Sequence, residues 1–145
     1  MIIADLIGAT RTRFRALSHA SSVQAAADAF SDARLGLIIV CDAADRATGV
    51  VSKSDLVRHL ARSGRTDMPV TAVMTNSVLS ASPSDDLRTT WEFMVARRLQ
   101  SLPLLDPGRR PLGTLDIRDA LEAILAFEQD QEDQLVNYIA GKGYR

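Results

Sequence analysis

One pattern is written twice in this chain, and that duplication limits the fold more than any other feature of its 145 residues. In the first half, Leu37-Ile38-Ile39-Val40 runs through Asp42-Ala43-Ala44-Asp45-Arg46 to Gly49-Val50-Val51-Ser52-Lys53-Ser54-Asp55-Leu56. In the second half, Leu102-Pro103-Leu104-Leu105 runs through Asp106-Pro107-Gly108-Arg109 to Gly113-Thr114-Leu115-Asp116-Ile117-Arg118-Asp119-Ala120. Gly49 and Gly113 are 64 residues apart, as are Asp55 and Asp119. A register held over that distance marks two copies of one structural unit. With 46% hydrophobic residues, the chain can bury one core or two small ones that share an interface.

Within each copy, short apolar runs separated by Asp, Pro and Gly predict two strands joined by a turn, and Asp106-Pro107-Gly108-Arg109 suits a tight turn with proline second. An amphipathic helix precedes each hairpin, carried by Val23, Ala26, Ala27, Phe30 and Ala33 in one copy and by Leu87, Trp91, Met94 and Val95 in the other. Ser21 or Ser22 is the expected cap of the first, and Ser84 or Asp85 of the second. A further helix follows each hairpin, with Leu56, Val57 and Leu60 expected inward in one, and Leu121, Ile124 and Leu125 in the other. The expected order is strand, helix, strand, strand, helix, repeated. Residues 63–69 are polar, broken by Gly64 and Pro69, and read as a linker between a first repeat over 1–62 and a second over 70–127. Residues 128–145 open on Glu128-Gln129-Asp130-Gln131-Glu132-Asp133-Gln134, with Leu135, Val136 and Ile139 at helical spacing, and read as a helical tail.

Charge narrows the function. Seventeen basic and 18 acidic residues leave a formal charge of -1, too little to gather nucleic acid or an anionic membrane surface. Arg97, Arg98, Arg109 and Arg110 lack an accompanying aromatic row and read as solvated surface. No apolar run approaches a membrane span, and Met1-Ile2-Ile3-Ala4-Asp5 has no secretory pattern, so a cytoplasmic protein is expected. Cys41 is alone and follows an apolar strand, which suits a buried thiol. His19 and His59 lie in different elements, so no metal constellation is expected. With no nucleophile–base pair either, the chain is not expected to be an enzyme.

The order apolar strand, turn, Gly-x-x-Ser-x-x-Asp, seen as Gly49 to Asp55, together with Leu102-Pro103-Leu104-Leu105 and the entry segment Val73-Met74-Thr75, resembles the CBS-domain family. Its repeats occur in tandem and pack as a pseudo-symmetric pair, the Bateman module. The resemblance covers residues from about 3 to about 127 and implies an α+β fold of two β-α-β-β-α repeats with a C-terminal helical extension. It also implies clefts that hold AMP, ADP, ATP or S-adenosylmethionine, with an aspartate gripping the ribose. Carried over by motif, the main site takes Ser52, Lys53, Asp55 and Arg58 from the first repeat, with Thr75, Ser80, Leu99, Gln100 and Ser101 from the second. The chemistry is compatible, because an ionised carboxylate accepts both hydroxyl protons of a ribose diol. A helix start at Ser52 likewise offers free N–H groups to a phosphate.

The second site departs from the family pattern. Asp116 stands where Ser or Thr is expected and brings a negative charge toward any phosphate. This site is expected to be empty, to prefer a nucleoside or cationic adenosyl ligand, or to need a neutralising cation, with Asp119 and Arg34 as its contacts. Ser52-x-x-Asp55 also reads as a capping box, a role that coexists with ligand binding. The implied function is a regulatory sensor module, homodimeric like its relatives. The alternative is a ligand-free, dimeric protein-interaction scaffold in which the tail serves as a docking helix.

Overall fold

The computed structural model describes residues 1–140, so the last five residues of the expected tail lie outside the described residues. A 3-10 turn over Ile3–Leu6 leads into α1 (Ile7–Thr12), β1 (Ala16–Ser18), α2 (Val23–Ala29), β2 (Leu37–Cys41), β3 (Ala47–Ser52) and α3 (Lys53–Arg62). A second 3-10 turn over Val70–Ala72 opens the other repeat, with α4 (Leu87–Ala96), β4 (Ser101–Leu105), β5 (Pro111–Asp116) and the long α5 (Ile117–Ile139). The fold is α+β, two copies of one unit with a C-terminal helical extension.

The hairpins match residue for residue. Asp45 and Arg109, 64 apart, both take the left-handed conformation, at φ 61° and 66°. Ahead of each, an aspartate closes the turn: Asp42 accepts from the Ala44 and Arg46 amides, and Asp106 from the Arg110 amide. Each ladder then slips by one residue, between Val40 and Cys41 and between Leu104 and Leu105.

The first strands do not match. In the first repeat β1 pairs in parallel with β2, and the Ile39 amide donates to the Arg15 carbonyl at 3.0 Å. Pro103 occupies the equivalent place in the second repeat and has no N–H to donate. The expected strand there shrinks to a single bridge between Ala81 and Leu104, held by Ala81 to Pro103 and Leu105 to Ala81 bonds of 3.0 Å.

Each repeat is completed by the segment that precedes the other. Ile3 is fully buried in a cluster with Leu87, Met94, Leu102, Leu115 and Ile124, all of the second repeat. Val70 is buried with Ala26, Leu35, Ile38, Val40 and Val51 of the first, and Thr75 pairs in both directions with Val50 on the edge of β3. A third cluster of Ile39, Cys41, Ala47 and Leu105, with Phe14 and Val78 against it, spans both repeats.

Several expected details are corrected. Ser22 caps α2, but α4 is capped by Asp86, whose carboxylate accepts from the Thr89 amide, while Asp85 serves the Ser82 amide. The first amphipathic helix ends at Ala29, leaving Ala33 exposed. Leu56 and Ile124 face inward as expected, but Val57, Leu121 and Leu125 are exposed, as are Val95, Leu135, Val136 and Ile139. The apolar stripes of these helices are wider than the faces the core can cover.

Candidate functional site

The pseudo-symmetry places a cleft of about 400 Å³ between the repeats, and a second hollow of about 490 Å³ lies between Ala16, Cys41 and Asp45 of one and Arg110 of the other. The walls of the cleft are residues 33–37 and 52–54 of the first repeat, and residues 98–101 with Asp116 and Arg118 of the second. Most of these are 64-residue counterparts: Arg34 with Arg98, Ser52 with Asp116, Ser54 with Arg118. The repeats approach so closely that a Cβ on Gly36 would stand 2.8 Å from Ser101 Oγ. Two helix N-termini therefore open toward a shared space, because α3 begins directly after β3 and α5 directly after β5. Amides in such first turns have no intrahelical acceptor, and with the helix dipole they favour an anion.

Side-chain charge points the same way. Arg34, Lys53, Arg98 and Arg118 line the cleft against a single carboxylate, Asp116. Arg34 is held on Asp32 at 2.9 Å, and Arg118 on Asp116 at 3.2 Å. Among the described residues, neither Lys53 nor Arg98 forms an ion pair. Arg98 has φ of 56° and closes α4, with its own amide on Val95 O and the Leu99 amide on Met94 O at 2.9 Å. That helix end ordinarily selects glycine. An arginine kept there in a left-handed conformation presents its side chain at the mouth of the cleft.

Asp116 is nearly buried and caps α5 by accepting from the Arg118 amide at 2.8 Å. Burial alone would raise its carboxyl, but hydrogen bonds from Arg118 and the charges of Arg13 and Arg118 outweigh that and hold it below the ordinary carboxylate value. The charge expected to repel a phosphate is thus matched within the protein.

Of the residues expected at the main site, Ser52, Lys53, Leu99, Gln100 and Ser101 lie on this wall. Asp55 stands at its flank and folds back on its own helix: Oδ2 accepts from the Ser52 amide at 3.0 Å while Ser52 Oγ accepts from the Asp55 amide at 3.1 Å. Among the described residues its Oδ1 meets only Arg58, at 3.4 Å, and Arg58 is exposed. Thr75 is on the β3 edge, and Ser80 lines separate hollows with Ala81 and Asp85. Of the residues expected at the second site, Arg34 and Asp116 line the same central cleft. Asp119 does not: both its oxygens accept from Arg13, Oδ2 from Nε at 3.0 Å and Oδ1 from Nη2 at 3.2 Å. Arg13, Ser54, Arg98 and Arg118 were not anticipated, although carrying Arg34 forward by the repeat spacing lands on Arg98. Arg97, beside it, instead lies over the Phe93 ring at 5.0 Å.

Cys41 is a buried thiol, its pKa raised by desolvation and then by Asp45 and Asp42. Among the described residues no group of three or more His, Cys, Asp or Glu side chains could hold a metal, and no helix is long and apolar enough to cross a membrane.

Two repeats of this topology, packed across a shared cleft, define a tandem-repeat module. The CBS domain model matches residues 3–62 and again 70–126, and the chain belongs to the CBS-domain family. A solved CBS domain protein from Pyrobaculum aerophilum, complexed with AMP, superposes with a TM-score of 0.71 at 20% identity, over 82% of this chain and 89% of that one. The CBS domain pair of protein MJ0100, in complex with 5′-methylthioadenosine and S-adenosyl-L-methionine, gives a TM-score of 0.72 at 16% identity, over 88% and 98%. Arabinose 5-phosphate isomerase GutQ of Escherichia coli is 30% identical over 92 residues, which is 61% of this chain but spans only 28% of that protein.

Proposed function

We propose that the chain is a regulatory module, not itself an enzyme, whose inter-repeat cleft binds an adenine nucleotide. The observation that carries this reading is the charge of the cleft: four cations against one carboxylate, with Lys53 and Arg98 uncommitted. A volume of about 400 Å³ lies within the roughly 300–1,000 Å³ common for small-molecule pockets. The phosphates lie in the cleft, against the first turn of α3 and between Lys53 and Arg98. The sugar reaches the flank, where Asp55 Oδ1 gives up Arg58 to accept its hydroxyls. That family members have been solved with AMP and with S-adenosyl-L-methionine supports an adenosyl ligand, and the cation excess favours the phosphorylated one over the cationic sulfonium.

Binding acts on partners by favouring one arrangement of two packed chains over another. Val57 and Leu121, again 64 apart, are exposed with Leu125 on α3 and α5, and they form the homodimer face in this reading. A panel of AMP, ADP, ATP, S-adenosylmethionine and NAD, read as melting temperature, tests the proposal. ATP or ADP should raise the midpoint most and S-adenosylmethionine least, with Asp55→Ala removing the shift. No shift with any member of the panel would leave only the ligand-free scaffold reading.

A further inference from the structure

Resting on that nucleotide-binding reading, we propose that Arg13 fills the second of the two sugar positions flanking the cleft, so that each chain takes one nucleotide and not two. The repeat supplies two equivalent carboxylates, Asp55 and Asp119, each in the first turn of a helix beside the cleft. A ribose diol needs open approach to a carboxylate edge that can accept its hydroxyls. On Asp119 that edge is occupied: Arg13 makes a forked contact to both oxygens, donates a third bond from Nη1 to the Arg34 carbonyl at 3.1 Å, and stands 4.0 Å from Asp116. Arg13 and Asp119 are both mostly buried, with side-chain exposures of 21% and 18%. Neutral sugar hydroxyls cannot replace a guanidinium there without leaving opposite charges stranded.

The first repeat's flank has no such occupant. The register of the copies holds through this segment: Ser22 and Asp86 cap equivalent helices, Leu17 pairs with Val40 as Ala81 does with Leu104, and Phe14 and Val78 pack on one cluster. It places Ser77 at the position equivalent to Arg13, and among the described residues Ser77 makes no hydrogen bond to Asp55. Among the described residues, the Oδ1 of Asp55 has as its only partner the exposed Arg58. The asymmetry of the two sites therefore comes from one residue ahead of β1, and not from the charge of Asp116, which Arg118 already answers.

Calorimetric titration with ATP tests this. The unmodified chain should bind one ATP per chain, and Arg13→Gln should bind two. Asp55→Ala should abolish binding in the unmodified background but leave one site in the Arg13→Gln background. A stoichiometry of two in the unmodified chain, or of one in both, overturns the inference while leaving the nucleotide reading intact. No ATP binding by the unmodified chain overturns the nucleotide reading and this inference with it. Arg13→Met, which keeps the length without the charge, gives the same readout if circular dichroism shows the glutamine variant unfolded.

Discussion

Thr114 keeps a hydroxyl that is buried without a hydrogen-bond partner, while its counterpart 64 residues earlier is Val50. An unsatisfied buried hydroxyl costs about 1–3 kcal/mol, and valine has nearly the same shape. Thr114→Val should therefore raise stability by about 1 kcal/mol in urea denaturation. Arg98 carries a different cost, that of a left-handed non-glycine residue, which is of order 1–2 kcal/mol. Arg98→Gly should stabilise the fold by up to about 1 kcal/mol, less what the freer unfolded chain gives back, yet weaken nucleotide binding. Loss of stability together with unchanged affinity would contradict the role given to that side chain. Asp116 sets an acid limb. Its folded-state pKa lies below the unfolded value, so its stabilisation is complete above the unfolded pKa of about 3.9 and fades as pH falls through the lower folded value. Asp116→Asn should be less stable than the parent at neutral pH, and the difference should narrow below about pH 4.

At the scale of elements, the exchanged arms matter most. Gly49 lies under Met74 and Thr75, and Gly113 under Thr10, where an added Cβ would stand 3.0 Å from Thr75 O in one and 3.2 Å from Thr10 O in the other. Ile3→Ala should cost about 2–5 kcal/mol, as for a core residue of the second repeat, whereas Val57→Ala should change monomer stability by less than about 0.5 kcal/mol. Equal costs for the two would contradict the arm assignment. Little of this exchange was legible in the sequence. Hairpins, turns and the Ser52 cap follow from local residue types, and their duplication made them firm. Ile3 enters a core whose partners begin at Leu87 and Val70 one whose partners end at Val51, and no local pattern encodes either contact. Val57, Leu121 and Leu125 misled for a related reason, since helical spacing shows that a stripe is apolar but not how much of it the core can cover. The site divided the same way. Ser52, Lys53 and residues 99–101 were readable by motif, while Arg13 reaches Asp119 across 106 positions and no spacing rule pairs them.

For the molecule as a whole, exchanged arms and a cluster shared by both repeats make independent unfolding of either copy costly. A single transition is expected, with Trp91 fluorescence in the second repeat and far-UV circular dichroism giving the same midpoint. Separate midpoints would show that the shared cluster does not couple the halves. The symmetry that joins the two repeats also places 64-residue counterparts around the cleft of Ser52 and Asp116, and its cations are what the functional reading stands on. Calorimetric titration of ATP into the parent and into Lys53→Ala/Arg98→Ala measures that directly. Binding at least tenfold weaker in the variant, about 1.4 kcal/mol, is the predicted result, and equal affinity in the two would contradict the assignment of this cleft as the phosphate site.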